Sequence, residues 1–203
     1  MTIQVISSQA PVRRRGCRHD QVRNLFQFAF WSDLRTSELV ALKWGEMDWR
    51  KGFVRVSRTQ TQAVTEAESQ KTRRGTRSVK QLAPALTALK DQKPFTFTAG
   101  ERVFLDPRSN GPWARDQLTR EGAWTTALKL AKVRYRNPYQ MRHTYASMML
   151  SAGENPIWVA GQNGHLDTAM IFRIYGRWIP DASLQAGGMA VKMLPGSPTK
   201  RLR

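Results

Sequence analysis

One stretch of this sequence breaks a pattern that otherwise runs through most of the chain. Apolar residues recur at helical spacing in most segments, but Phe53-Val54-Arg55-Val56 alternates strictly, and Arg77-Ser78-Val79 offers a partner that pairs back. Helical and strand periods do not interconvert, because a helix presents one face every 3.6 residues and a strand every two. Residues 47–81 therefore read as a small antiparallel sheet with a long hairpin inside an otherwise helical chain. The fold class that follows is α+β, mainly α. Helices are expected over residues 19–31 and 34–43, the second capped by Ser32 or Asp33, and from Pro84 to about Lys90. Residues 93–112 read as loop, with Asn110-Gly111-Pro112 as the clearest turn. Further helices are expected over 116–132, 139–151, 156–160 and 168–178, with a weak one over 182–193. Residues 1–17 read as a flexible basic lead-in, 18–193 as one folded unit, and 194–203 as a disordered tail.

Charge narrows the partner. Thirty-three Lys and Arg against fifteen Asp and Glu leave a net +18, which favours a polyanion. The basic residues are spread over several segments, which argues against a membrane-surface helix. No segment approaches the roughly 20 apolar residues of a bilayer span, and the basic cluster Arg13-Arg14-Arg15 is not followed by the apolar core of a secretion signal. A single cysteine, Cys17, excludes an intrachain disulfide and argues against a cysteine-rich zinc site. A cytoplasmic protein is expected. Between Arg50 and Lys80 nine residues are basic and two acidic, so the hairpin is either a solvated charged surface or a tracker of phosphates.

Four places carry candidate chemistry. In Leu34-Arg35-Thr36-Ser37-Glu38-Leu39, a helix would set Arg35 on a face with Leu39 and Leu42. An arginine there needs a partner, either Glu38 three residues on or an anion buttressed by Glu38. In Tyr139-Gln140-Met141-Arg142-His143-Thr144-Tyr145, Arg142 lies at the edge of an apolar stripe, and Tyr139 occupies a neighbouring part of the same surface. Gly164-His165 follows a short helix, and His165 is open to a structural or a catalytic reading. Tyr175 borders a stripe of Met170, Ile171, Ile174 and Trp178, where a tyrosine is commonly an amphipathic packing residue.

Taken together, these four places resemble the signature of the tyrosine recombinases, the family of phage integrases and bacterial chromosome-dimer resolvases. Leu34 to Leu39 resembles the first arginine box, and Met141-Arg142-His143-Thr144-Tyr145-Ala146-Ser147 the second. Gly164-His165 resembles the Gly-His pair that follows, Tyr175 falls where the nucleophile stands, and Lys71-Thr72 is similar to the start of the hairpin that holds the catalytic lysine. The likeness covers about residues 18–185. It departs from the family in two ways. Tyr139 stands where the family usually has histidine, which leaves the acceptor of the nucleophile's proton open, and His165 precedes Tyr175 by ten residues rather than nine. The family's N-terminal clamp domain is also missing from this stretch of sequence, as in an excised domain or a truncation.

The resemblance implies a helical bundle with a three-stranded antiparallel sheet at one edge. It implies strand exchange on double-stranded DNA through a 3′-phosphotyrosyl bond, for integration or excision of a phage or mobile element. In that scheme Arg35 and Arg142 clamp the non-bridging oxygens, because guanidinium offers paired planar donors at any relevant pH. His165 adds a hydrogen bond, Tyr175 attacks phosphorus, Lys71 protonates the departing 5′ oxygen, and Tyr139 helps orient phosphate or nucleophile. No cofactor or metal is implied, since the covalent intermediate conserves bond energy. Four protomers on two DNA sites are implied, with residues 182–193 as a subunit contact. Rival readings are a type IB topoisomerase, a catalytically impaired DNA-binding remnant, and a basic RNA-binding module; the last lacks an aromatic-rich RNP pattern.

Overall fold

The structure, a computed structural model, describes residues 18–59, 68–69, 76–113, 122–164 and 168–180. The lead-in 1–17, the proposed contact segment 182–193 and the tail 194–203 lie outside the described residues, as do Lys71 and His165.

Seven α-helices are described: α1 (Arg18–Ser32), α2 (Thr36–Ala41), α3 (Ala83–Thr96), α4 (Ala123–Leu130), α5 (Gln140–Ser151), α6 (Pro156–Asn163) and α7 (Thr168–Tyr175). Strands β1 (Met47–Asp48), β2 (Phe53–Val56) and β5 (Arg77–Lys80) form an antiparallel sheet in the order β1-β2-β5, and β3 (Arg58–Thr59) pairs with β4 (Glu68–Ser69). The expected mainly helical fold with a three-stranded antiparallel sheet is thus borne out. Register follows the alternation: Val54 faces Val79 and both are buried, while Arg55 and Ser78 face each other on the exposed side. Gly52, at φ +69°, makes the β1–β2 turn, where its N–H donates to the Asp48 carbonyl.

Two apolar clusters organise the helices. The first gathers Leu25, Phe26, Phe28 and Ala29 of α1 with Leu39, Val54, Val79, Leu89, Phe104 and Trp124. Phe26 meets Trp124 edge-on at 5.1 Å, and Phe28 packs against Phe104 at 5.4 Å. The second gathers Tyr145, Ala146, Met149 and Leu150 of α5 with Val159, Ala160, Ile171 and Tyr175. Trp31, at the end of α1, packs against both clusters. On α5, Met141 joins the first and Tyr145 the second, so Arg142 stands where the two meet.

Several element boundaries differ from expectation. The second helix is shorter than 34–43, and Ser32 and Asp33 do not cap it; Arg35 is the residue at its N-cap, with φ −66° and ψ 151°. Asp33 instead takes φ +58°, a left-handed conformation that turns the chain sharply between α1 and α2. α3 runs on to Thr96 through Pro94 rather than ending near Lys90. Pro94 sits within the last turn, where a missing N–H costs one bond only, and Thr96 Oγ1 donates to the Val103 carbonyl at 2.8 Å, which pins the end. α6 continues to Asn163, capped at its start by Asn155, whose side chain accepts from the Ile157 N–H. Only Ala123–Leu130 of the helix expected over 116–132 falls in α4, since residues 114–121 lie outside the described residues. α7 ends at Tyr175 and passes into a 3-10 turn over Gly176–Trp178. Its buried face is Ile171 and Tyr175, one turn apart; Met170, Ile174 and Trp178, expected to share the apolar stripe, are exposed.

Candidate active site

The turn at Asp33 brings Arg35 beside the seam between the two clusters. Arg35 lies just before α2 rather than on a helical face with Leu39 and Leu42, and its side chain is partly exposed. Its guanidinium Nη1 donates to Glu38 Oε1 at 2.8 Å, and its backbone N–H donates to Glu38 Oε2 at 2.8 Å. The ion pair read as one of two options from the sequence is therefore formed, with Glu38 buried.

Glu38 has a second partner that the sequence did not single out. Arg77, on β5, donates to both Glu38 oxygens, at 2.8 and 3.0 Å, and its Nε donates to the Gln162 carbonyl at 3.0 Å. Burial pushes the Glu38 carboxyl up, but Arg77 and Arg35 outweigh it and hold the group below the ordinary carboxylate range. Arg77 thus ties α2, the sheet and the end of α6 together. The same contact explains Gly164: a Cβ there would come within 3.0 Å of Arg77 Cδ, and its φ of +62° already disfavours a side chain. The only hint of Arg77 in the sequence was a basic residue on a strand of a basic hairpin.

Arg142 is 3% exposed. Its Nη1 donates to the Asp33 carbonyl at 2.9 Å, its Nη2 donates to the Asn163 carbonyl, and its Nε lies 3.9 Å from Asp33 Oδ1. The sequence placed it at the edge of an apolar stripe; in the structure it crosses the seam and holds α1, α5 and α6 in register. The Asn163 amide lies beside Asp33, and with its nitrogen rather than its oxygen facing the carboxylate it donates to Asp33 Oδ1 at 2.9 Å. Asp33 itself is fully buried, and burial raises its carboxyl from 3.8 to about 7, against the pull of Arg142 and Arg77. From the sequence alone Asp33 is no more than a candidate cap.

Tyr175 is 4% exposed, and its hydroxyl lies 2.6 Å from His143 Nδ1. Burial and the nearby Asp33 push the phenol up to about 12. Burial and Arg142 push His143 below its ordinary value. Tyr139 is exposed and meets the His143 ring edge-on at 5.1 Å, and the His143 and Tyr175 rings are 5.7 Å apart. Tyr139, His143 and Tyr175 therefore form a row. Tyr139 and His143 share a face by helical spacing, being four residues apart, while Tyr175 reaches His143 from α7.

The site thus gathers four of the six candidate residues, Arg35, Tyr139, Arg142 and Tyr175, around one seam, and adds Asp33, Glu38, Arg77 and His143. Among the described residues there is no group of three or more His, Cys, Asp or Glu side chains placed to hold a metal ion.

Comparison with known proteins gives the family and the fold. The family model described as "Phage integrase family" matches residues 9–178, and the chain belongs to that family of tyrosine recombinases. Among curated relatives, the prophage integrase IntR of Escherichia coli K12 is 39% identical over 184 residues, covering 79% of this chain and 44% of IntR. A tyrosine recombinase XerC-like protein of Caldanaerobacter subterraneus is 27% identical over 195 residues, covering 85% of this chain and 50% of that protein. The chain thus spans about half the length of these relatives. Among solved structures, the Tn1549 transposon integrase in complex with a circular intermediate DNA superposes with a TM-score of 0.70 at 16% identity, over 94% of this chain and 63% of that one. The catalytic domain of bacteriophage HP1 integrase gives 0.61 at 15% identity, over 97% of this chain and 95% of that domain. The fold is that of a tyrosine recombinase catalytic domain.

Proposed function

We propose that this chain cuts and rejoins double-stranded DNA through a 3′-phosphotyrosyl intermediate formed by Tyr175, in the integration or excision of a mobile element. One observation carries the reading: the Tyr175 hydroxyl, at the end of α7, is buried and hydrogen-bonded to His143 on α5, the helix that also bears Arg142, whose charge acts on the phenol. A packing tyrosine needs a partner for its hydroxyl but not an arginine nearby. A nucleophile that attacks an anion does, because the anion's charge must be met by fixed cations.

The proposed roles combine this geometry with the family resemblance. Arg35, partly exposed, takes a non-bridging phosphate oxygen, and its pairing with Glu38 fixes its direction. Arg142 takes the other non-bridging oxygen. Two of its N–H groups are held by backbone carbonyls, which orient the remaining donors before substrate arrives. These donors gain strength as charge collects on the phosphate oxygens in the transition state. Tyr139 borders the row from the exposed side, so its hydroxyl is available to the phosphate or the DNA backbone. Lys71 is the proposed general acid toward the 5′ oxygen, and His165 a further phosphate donor. The net charge of +18 supplies the long-range attraction to DNA. Residues 18–193 form the proposed catalytic unit, acting as four protomers on two sites.

The test is covalent capture. The chain is incubated with a library of nicked duplexes carrying a randomised core, and DNA held through denaturation is recovered. A DNA adduct is expected from the wild-type chain and none from Tyr175→Phe, with the phosphate mapped to Tyr175 by peptide mass. DNA binding with no adduct from either protein refutes the reading in favour of a DNA-binding remnant.

A further inference from the structure

We infer that His143 is a catalytic residue that accepts the proton of Tyr175 through Nδ1 as the phenol attacks, and returns it on rejoining. The inference rests on Tyr175 being the nucleophile. The sequence leaves this proton without an acceptor, because the position three residues before Arg142 holds Tyr139, a phenol, where the family usually has histidine. The structure supplies one a turn further along α5. His143 Nδ1 lies 2.6 Å from the Tyr175 hydroxyl, within the reach a general base requires and on the reacting atom itself.

The surroundings suit the task. Tyr175 is pushed up to about 12, so the phenol stays protonated at neutral pH and cannot attack without losing its proton to a partner. His143 is held below its ordinary value by burial and by Arg142, so the imidazole is neutral at pH 7 and has a lone pair free. With Nε2 carrying the ring proton, Nδ1 accepts from the Tyr175 hydroxyl. Tyr139 meets one edge of the ring and fixes its plane. Arg142, next in sequence, opposes a permanent charge on the ring. The proton therefore has a reason to go back when the intermediate is resolved.

The step balances. The Tyr175 O–H bond breaks and its proton passes to His143 Nδ1, while the phenolic oxygen bonds to phosphorus. The P–O5′ bond breaks with its electron pair on the 5′ oxygen, which takes a proton from a general acid, Lys71 in the proposed scheme. In rejoining, the 5′ hydroxyl attacks phosphorus and gives up its proton to that acid's conjugate base. The phenolic oxygen leaves and recovers its proton from the His143 imidazolium. Neither half-reaction consumes an oxidant or a metal.

Two measurements test the role. In the free chain, nitrogen-15 NMR should show His143 Nδ1 unprotonated at pH 7, with the ring proton on Nε2; a protonated Nδ1 at that pH overturns the inference. In single-turnover adduct formation, using duplexes captured by the wild-type chain, His143→Asn keeps a hydrogen-bonding group near the Nδ1 position but cannot take a proton. It should slow the step by about 100-fold or more, the usual worth of a general base, with DNA affinity and melting temperature unchanged. His143→Ala should slow it equally and be restored by added imidazole. His143→Asn reacting within about threefold of wild type overturns the proposal while leaving Tyr175 as nucleophile. An adduct that survives in Tyr175→Phe, by contrast, would refute the functional reading on which the proposal rests.

Discussion

Asp33 is the buried group whose removal should do the most measurable good. Its carboxyl is fully buried and is raised from 3.8 to about 7. In the unfolded chain the same group ionises near its ordinary value. Between those two values the folded protein therefore holds a proton that the unfolded chain has released, and stability falls as pH rises through that window. The slope is about 1.4 kcal/mol per pH unit, and a rise of about three units amounts to roughly 4 kcal/mol, complete once the pH passes the folded value. Asp33→Asn keeps the shape, keeps the backbone carbonyl that accepts from Arg142, and tolerates φ +58° as well as aspartate does. It has no charge to desolvate. From pH 5 to pH 8 the wild-type chain should thus lose about 2–3 kcal/mol of stability relative to Asp33→Asn. Urea unfolding of both proteins at half-unit pH steps measures this directly, with each midpoint converted through its own slope. Parallel curves for the two proteins across that range would refute the reasoning, since they would mean that Asp33 ionises normally in the fold or that Arg142 fully compensates it.

The other predictions concern the partners of the cluster. Arg77→Ala removes two donors from the buried Glu38 carboxylate and the tie to the Gln162 carbonyl, so it should destabilise the chain by about 3–5 kcal/mol, the cost of breaking a buried pair from one side; thermal melts of Arg77→Ala and Glu38→Gln separately and combined should show strong coupling between the two. Tyr139→His places the residue the family commonly has on the exposed side of His143, and it should leave the melting temperature within about 2 °C because Tyr139 is exposed; in adduct formation it should raise the rate of a His143→Asn background more than that of the wild-type chain, because it restores a second proton acceptor beside Tyr175.

The fold was legible where period decides structure. Val54, Val56 and Val79 alternate with Arg55, Ser78 and Lys80, and a one-residue slip of either strand would turn its valines outward, so the sheet is legible in the sequence. Helix positions followed from proline and glycine punctuation at Pro84, Pro156 and Gly164. The boundaries that went astray did so at tertiary contacts: Thr96 reaches Val103 and carries α3 past Pro94, while a left-handed Asp33 starts α2 later than its apolar spacing suggests. Neither contact leaves a local trace in the sequence.

The site divides in the same way, and the division has a physical cause. Arg35, Arg142 and Tyr175 were readable as candidates because the roles proposed for them depend on chemistry that few residue types supply, so the residue type itself is the signal. Arg77 and His143 were not, because what distinguishes them is where distant segments meet. Arg77 is one of nine basic residues between Arg50 and Lys80, and nothing local separates it from those that face solvent. Only the pairing of β5 with β2 and the packing of α6 bring it to Glu38 and Gln162, 39 and 85 residues away. His143 follows the same logic on a smaller scale. Its place on α5 was readable, yet its ring matters because Tyr175, 32 residues on, is carried into the second apolar cluster with Ile171 and presents its hydroxyl there. A buried polar group must find a partner where it lands. Here the partner is a neutral base, and the contact that satisfies the tyrosine's hydroxyl in the resting site is the same contact along which its proton can leave.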